Sequence, residues 1–188
     1  FYDVIFPLFL ILAGVAIPLS LPKVVARSGR AGAFVHALKR ATVLFALGIL
    51  CNGGFSEPWP EVRLLGVLQR IALCYVVAAG LFLVFGWRGL AAATSALLAG
   101  YWALLSLVPV PLHGVMGAAE TVNLAIWTDQ TFLPGKKHFE TWDPDGLLST
   151  LGAAASCLMG VLVGTSLTRS PWSPPEVALR IAAAGAGL

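Results

Sequence analysis

Two arginines and a glutamine interrupt a stretch of the chain that is otherwise apolar enough to cross a membrane. Residues 62–85, VRLLGVLQRIALCYVVAAGLFLVF, contain Arg63, Gln69 and Arg70. About 20 apolar residues at 1.5 Å each cross a hydrocarbon core of roughly 30 Å. An arginine near the bilayer centre costs at least about 2.5 kcal/mol, so it usually faces a partner, a cavity or a ligand. This stretch is therefore the first candidate for chemistry.

Helical spacing predicts that the two arginines share one face of this stretch. They are seven residues apart, which corresponds to a rotation of roughly 700° on a helix. Gly66 between them leaves room for a backbone or a ligand, and Gln69 offers a donor and an acceptor on the flank. We expect one wall of a polar cavity. The alternative is that Arg63 only reaches the interface and that Arg70 pairs with a carboxylate for structural reasons.

Polar groups that could meet these arginines lie at the ends of other apolar runs. Asp3 begins the first run and Asn52 ends the second. In the segment TWDPDGLLSTLG, Asp143 and Asp145 flank Pro144. An aspartate before proline suits a helix cap, and an acid in the first turn favours the positive helix end. The segment therefore predicts a helix start, whether or not it also binds a substrate.

A purely basic segment separates the first two apolar runs. It contains no acidic residue, and the positive-inside rule therefore places it in the cytoplasm. Its cations suit anionic lipid headgroups or, alternatively, a nucleotide with several phosphates. They are Lys23, Arg27, Arg30, Lys39 and Arg40.

Apolar helices must position all of these groups. Hydrophobic residues make up 58% of the 188 and charged residues 11%, with a mean hydropathy of +0.86, far from the balance of a soluble domain. We predict an all-α polytopic transmembrane helix bundle with five full spans and the start of a sixth. The spans are 1–21, 34–53, 62–85, 90–108 and 146–167, with the sixth starting near Glu176. Residues 110–145 are predicted as an extracytoplasmic loop, and Gly160 and Gly164 have the GxxxG spacing of closely packed helices.

The sequence gives no indication of a metal or a nucleic acid. Cys51, Cys74 and Cys157 lie in apolar runs without metal-ligand spacing. His113 and His138 have no second ligand at metal spacing. The basic residues border membrane spans instead of forming a patch interleaved with aromatics. We therefore expect the lipid bilayer and a small molecule or glycan as partners, with no metal.

Three segments taken together resemble the heparan-α-glucosaminide N-acetyltransferase family of transmembrane acyltransferases, which includes many bacterial members. They are YDVIFPLFLILAGVAIPLSL, VRLLGVLQRIALCY and WDPDGLLSTLGAAASCLMGVLVG. The resemblance implies an enzyme that transfers an acetyl group from cytoplasmic acetyl-CoA, as co-substrate, to an amino sugar or glycan on the far side of the membrane. It also implies that residues 1–188 are part of a single transmembrane acyltransferase domain, truncated at both ends, in a bacterial inner membrane. A homo-oligomer is compatible with it.

The family's pattern also sets expectations for the site. Its catalytic histidine precedes the DxxFP segment, here Asp3 to Pro7, so we expect the principal base ahead of Phe1. An amine that attacks a thioester needs a base and an oxyanion donor. Asp3 is expected to orient the base or bind the acceptor, and Asn52 or Arg70 to stabilise negative charge. The expected substrate-binding residues are Arg63, Gln69, Asp143 and Asp145, and the expected cofactor-binding residues are Lys23, Arg27, Arg30, Lys39 and Arg40.

A secondary transporter is the main alternative function. Discontinuous helices and intramembrane charge would serve substrate passage equally well, with Pro7, Pro18 and Asp3 as gate elements. A non-enzymatic scaffold would explain the GxxxG helix but not the two arginines. Within the enzyme reading, direct transfer and an acetyl-histidine intermediate both remain open.

Overall fold

The fold of the described residues is a bundle of α-helices. The computed structural model describes residues 2–54, 58, 62–110, 123–138, 143–169 and 176, the side chains of residues 2–4 excepted. The helices are α1 Tyr2–Cys51, α2 Val67–Val84, α3 Trp87–Leu107, α4 Leu124–Phe132 and α5 Ser149–Arg169. Four of them, α1, α2, α3 and α5, are long and apolar enough to cross a membrane. The prediction of an all-α protein with membrane-spanning helices is therefore confirmed for this part of the chain.

Helix α1 reverses direction at Gly29. The backbone there has φ 70° and ψ 178°, a conformation that is essentially restricted to glycine. A straight helix of 50 residues would be about 75 Å long, yet Phe6 and Gly48 contact consecutive residues of α2, Arg70 and Gln69. Two arms, residues 2–28 and 30–51, therefore lie side by side and run antiparallel.

The reversal corrects the predicted loop between the first two spans. Residues 22–40 are helical on both sides of Gly29. The alanines, arginines and lysines that suggested a solvated segment are also strong helix formers. The arms continue as helices until one glycine turns the chain.

The arm of residues 2–28 packs directly on α5. A Cβ atom at Gly14 would lie 2.0 Å from the carbonyl oxygen of Cys157, and one at Gly160 would lie 2.1 Å from that of Ile11. One turn further along α5, a Cβ atom at Gly164 would likewise lie too close to the backbone of the first arm. Such contacts are possible only between helices without side chains at the crossing. The close packing predicted from the GxxxG spacing is thus confirmed.

The remaining long helices complete the bundle. Helices α2 and α5 run parallel, with Arg70 beside Ser149 and Cys74 beside Thr150. Helix α3 runs antiparallel to α5 and places Tyr101 against Gly152. The core between them is built from small and aliphatic residues, including Ala72, Cys74, Ala78, Ala79, Ala154, Cys157, Leu158 and Val161.

The bundle has two distinct ends. One, called the Arg63 end, holds Asn52, Arg63 and the start of α5. The other, called the Gly29 end, holds the reversal of α1 and the α2–α3 connection; there Arg30 and Val84 line one groove.

Several predicted boundaries differ from the structure at the Arg63 end. Residues 62–66 are not helical, and α2 begins at Val67. Helix α5 begins at Ser149, three residues later than predicted, after the turns of residues 144–148. The region predicted as a loop contains the short helix α4, whose first turn is capped by Asn123 accepting a hydrogen bond from Ile126 N at 3.0 Å. Apart from Glu176, the predicted sixth span lies outside the described residues.

Candidate functional site

Arg63 does not lie on α2, so the prediction that it shares a helical face with Arg70 is wrong. Its backbone forms an isolated antiparallel bridge with Gly135, and Lys136 N donates to Val62 O at 3.3 Å. Gly135 has φ 84°, and a Cβ there would lie 2.5 Å from Val62 O. Glycine is therefore required opposite Arg63. The spacing argument failed because it assumed one continuous helix.

Both arginines nevertheless bind Asp145, and Arg63 also binds Asp143. Arg63 Nε donates to Asp143 Oδ2 at 2.7 Å, and Arg63 Nη2 donates to Asp143 Oδ1 and, at 2.9 Å, to Asp145 Oδ2. Arg70 Nη1 donates to Asp145 Oδ1 at 3.0 Å. Asp145 thus bridges two guanidinium groups. These four residues are called the ion-pair cluster, and their two positive and two negative charges balance.

Arg70 is engaged by several further groups. Its Nη1 donates to Pro144 O and its Nη2 to Ser149 O, both at 2.8 Å. Its Cζ lies 5.2 Å from the centre of the Phe6 ring, within cation–π range. Arg70 therefore holds the start of α5 and the start of α1 against α2.

Asp143 is fixed as an anion by its surroundings. Its Oδ1 accepts from Asp145 N at 2.9 Å and its Oδ2 from His138 N at 3.0 Å, besides the bonds from Arg63. Burial acts to raise the pKa of Asp143, but the Arg63 hydrogen bond and these backbone N–H groups outweigh it and hold the pKa below its ordinary value. The same contact raises the pKa of Arg63.

Asp129 on α4 is a buried carboxylate that the sequence reading missed. It is 2% exposed, and it accepts from Leu147 N at 3.0 Å and from Asp143 N at 3.4 Å. Burial, together with the charge of Asp143, raises its pKa against the effect of these N–H groups. A Cβ at Gly146 would lie 2.0 Å from Asp129 Oδ2. In the sequence, the only sign of Asp129 was that it is a single acidic residue in a segment that is otherwise apolar or neutral.

Two side-chain amides meet beside the ion-pair cluster. Gln69 is fully buried, and neither its Oε1 nor its Nε2 has a hydrogen-bond partner among the described residues. A Cβ at Gly66 would lie 2.6 Å from Asn52 Nδ2 and 3.1 Å from Gln69 Oε1. A Cβ at Gly48 would lie 2.5 Å from the same oxygen. The structure thus brings Asn52 and Gln69 together at the start of α2.

Asp3 is only partly described. Its backbone belongs to α1, one turn before Phe6, while its side chain lies outside the described part of the structure. The contacts predicted for its carboxylate therefore remain predictions.

The five cofactor-binding candidates do not form one rim. All five side chains are exposed and lie within α1, but only Lys23, Arg27 and Arg30 lie near the reversal. Lys39 and Arg40 lie further along the second arm, where Arg40 Cζ is 5.7 Å from the ring centre of Tyr75 in the middle of α2. The predicted single cytoplasmic loop is therefore wrong, because the chain stays helical past Gly29. With His36, Lys39 and Arg40 line a groove of about 520 Å³.

Neither a metal site nor a relative identifies the function. No group of three or more His, Cys, Asp or Glu in the described ranges has the geometry to hold a metal ion. No model of a known protein family matches the sequence, and no curated protein matches it significantly.

Proposed function

We propose that this chain belongs to a membrane-embedded acetyltransferase, which moves an acetyl group from cytoplasmic acetyl-CoA to the amine of an amino sugar or glycan across the membrane. One observation carries the proposal: the three segments that bear the sequence resemblance meet at one point. Phe6 comes from the first, Arg70 from the second and Asp145 from the third. Arg70 and Asp145 are 75 residues apart, so this meeting does not follow from local structure.

The proposal includes an orientation in the bilayer. The two arms of α1, together with α2, α3 and α5, give five passages. The Gly29 end would face the cytoplasm, since exposed cations gather there and the positive-inside rule favours that side. The exposed cations at this end are Lys23, Arg27, Arg30, Arg88 and Arg169. The ion-pair cluster then lies on the extracytoplasmic side.

Donor and acceptor would approach from opposite ends. Lys23, Arg27 and Arg30 would bind the phosphates of CoA, and Lys39 and Arg40 continue the positive charge along the second arm towards the middle of α2. Helix α2, with 18 residues, is about 27 Å long. The extended pantetheine arm would carry the acetyl group along this direction into the half of the bundle that holds Asn52 and Gln69.

The chemistry is the attack of a nitrogen on a thioester. A base removes the proton of the ammonium group, and the freed nitrogen forms a bond to the acyl carbon while the carbonyl π electrons move to oxygen. Collapse restores the carbonyl and expels the CoA thiolate, which takes up the second proton that the nitrogen loses as it becomes an amide. By the resemblance, the base is a histidine that precedes Asp3. Asp143 is unsuited to that role because its hydrogen bond with Arg63 lowers its pKa and so makes the carboxylate a weak base.

Binding and transfer measurements with the full-length protein in proteoliposomes test the proposal. We expect acetyl-CoA to bind, and ¹⁴C-acetyl to pass to glucosamine, the probe acceptor, added on the side opposite the CoA. Replacing Arg27, Arg30 and Arg40 with glutamine should weaken CoA binding at least tenfold. The matched control, Arg169→Gln, removes an exposed cation from the same end and should leave affinity unchanged. Absence of CoA binding, with uptake of a polar solute instead, would establish the transporter alternative.

A further inference from the structure

Helix α2 begins with backbone donors that have no hydrogen-bond acceptor among the described residues. Its N-cap is Gly66, with φ −149°, and no side chain caps the first turn. The backbone hydrogen bonds of α2 begin with the one from Arg70 N to Gly66 O at 2.9 Å. The first N–H groups of a helix lack intrahelical acceptors, and the helix dipole gives them partial positive charge. Leu65, Gly66 and Gln69 are buried, whereas Val67 in the same turn is 42% exposed, so the turn is shielded from water on the side of the Gln69 amide.

Gln69 is an independent sign that an acceptor belongs here. It is 0% exposed, and both polar atoms of its amide lack a partner in the described part of the chain. Buried amides are almost always hydrogen-bonded, because leaving one unpaired is unfavourable. The amide reaches to within 3.1 Å of the Cβ position of Gly66. Rotating it by 180° directs the NH₂ group to the same place.

Asn52 supplies a second side-chain donor at the same place. Its Nδ2 lies 2.6 Å from the Cβ position of Gly66. Its bond to Arg63 O, at 3.4 Å, is longer than an ordinary N–H···O hydrogen bond. After that rotation of the Gln69 amide, the amide hydrogens of Asn52 and Gln69 and the first N–H groups of α2 all lie around Gly66.

The donors select an oxygen without a permanent negative charge. Arg63 and Arg70 are already paired with Asp143 and Asp145, so the balanced cluster beside Asn52 supplies no net positive charge for a phosphate or carboxylate. A carbonyl oxygen carries little charge when it binds and gains charge only during reaction, which donors fixed in a water-poor site stabilise.

We infer that the start of α2, with Asn52 and Gln69, binds the carbonyl oxygen of the acyl group and stabilises the oxyanion formed during transfer. This rests on the proposed function and assigns a specific group to that site. As nitrogen bonds to the acyl carbon, the C=O electron pair moves onto the oxygen held at Gly66. When the C–S bond breaks, this pair returns and the thiolate leaves.

The deciding variant is Gln69→Met, which keeps the shape of the side chain and removes its hydrogen bonds. In the full-length protein, kcat for acetyl transfer from acetyl-CoA to glucosamine should fall at least tenfold, while the Kd for CoA stays within twofold. The midpoint of thermal unfolding should not fall, because the replaced amide is buried and makes no hydrogen bond among the described residues. With acetyl-CoA labelled with ¹³C at the carbonyl, binding to the wild type should lower the carbonyl stretching frequency, and Gln69→Met should abolish this shift.

The matched control is Tyr75→Phe, which removes another buried and unpartnered polar group from α2 and should leave kcat and the carbonyl frequency unchanged. If Gln69→Met does not fold, Gly66→Ala decides, because its methyl group would occupy the position 2.6 Å from Asn52 Nδ2 and should give the same loss of kcat. Wild-type kcat in the folded variant would overturn this inference and leave the proposed function intact. Absence of transfer by the wild type would overturn both.

Discussion

Asp143 shows how a single carboxylate can order a whole turn. Its two oxygens accept from Arg63 and from the backbone of Asp145 and His138. Its side chain is fully buried, and that of Arg63 is 19% exposed. Removing one partner of such a pair leaves the other charge buried and uncompensated, which costs about 3–5 kcal/mol. Asp143 is therefore expected to dominate the stability of the Arg63 end.

The first prediction is that Asp143→Asn lowers the free energy of unfolding by about 3–5 kcal/mol at neutral pH. Thermal unfolding of the protein in detergent, followed by circular dichroism, measures the loss. Lys136→Gln, a change at an exposed neighbour of Gly135, is the control and should shift the midpoint little. An Asp143→Asn midpoint equal to that of the control would show that the ion pair adds no stability.

The second prediction concerns the pH dependence of the same pair. Because the folded-state pKa of Asp143 lies below its ordinary value of 3.8, its stabilising contribution is complete above about pH 3.8 and is lost as the pH falls through the folded pKa. The difference in unfolding free energy between wild type and Asp143→Asn should therefore be constant from pH 5 to 7 and shrink below 3.8. A difference that grows on acidification would contradict the assignment.

At the residue level, the sequence identified most members of the cluster but not their geometry. Arg63, Arg70, Asp143 and Asp145 were all recognised because charged residues in or beside apolar runs need partners. The prediction that the two arginines share a helical face was wrong, since a β-bridge to Gly135 holds Arg63 outside the helix. No residue pattern within 62–70 reveals that bridge, because its partner lies in a distant segment.

At the level of elements, the contact between the first arm of α1 and α5 depends on glycine. Our third prediction is that Gly160→Ala destabilises the bundle by about 1–3 kcal/mol or more, because the new methyl group would lie 2.1 Å from the carbonyl oxygen of Ile11. The control is Gly100→Ala on α3, where nothing lies within 4 Å. That change should raise stability by up to about 1 kcal/mol through helix propensity. Equal effects of the two changes on unfolding in detergent would rule out backbone contact at Gly160.

The fourth prediction tests the reversal of α1. Gly29→Ala should cost about 1–3 kcal/mol of unfolding free energy, although nothing lies within 4 Å of the Cβ position, because the strain is in the backbone itself. Gly86→Ala is matched in its open surroundings and has φ −79°, so it should be nearly neutral. If both variants unfold at the same denaturant concentration, the left-handed conformation at Gly29 is not populated.

Hydropathy predicted where helices are, but not where they begin, end or turn. The apolar runs of α2, α3 and α5 were found within a few residues, because length and composition alone specify a spanning helix. The charges of residues 22–40 predict a loop. The reversal of the chain depends instead on the dihedral angles of Gly29. Short α4 was missed, since nine residues give little periodic signal.

For the molecule as a whole, the orientation in the bilayer is open to direct measurement. The fifth prediction is that, in a variant lacking the native cysteines, Ser28→Cys reacts with a membrane-impermeant maleimide only from the cytoplasmic side. Lys136→Cys should react only from the other side. Labelling of both positions from one side would contradict the antiparallel arms and the proposed orientation.

For the molecule as a whole, the sequence predicted the class of the fold. The geometry of the site depends on tertiary contacts, which the sequence could not reveal. The resemblance identified three segments, and the structure brings Phe6, Arg70 and Asp145 together. The place of Asp129 behind the turn and the meeting of Asn52 with Gln69 are tertiary features. Close packing at Gly146 accompanies the first, and close packing at Gly48 and Gly66 accompanies the second; in each case the sequence shows only a glycine.

The ion-pair cluster also has a consequence for biosynthesis. Arg63 and Asp143 are 80 residues apart, and at about 5–20 residues per second the ribosome needs roughly 4–16 s to make the intervening chain. During that interval α2, with Arg70, and the preceding segment, with Arg63, exist without their carboxylates. Stable insertion of α2 therefore has to wait for the start of α5, or depend on lipid and translocon contacts until then. The helices that follow in the chain are in this sense the assembly partners of those that precede them.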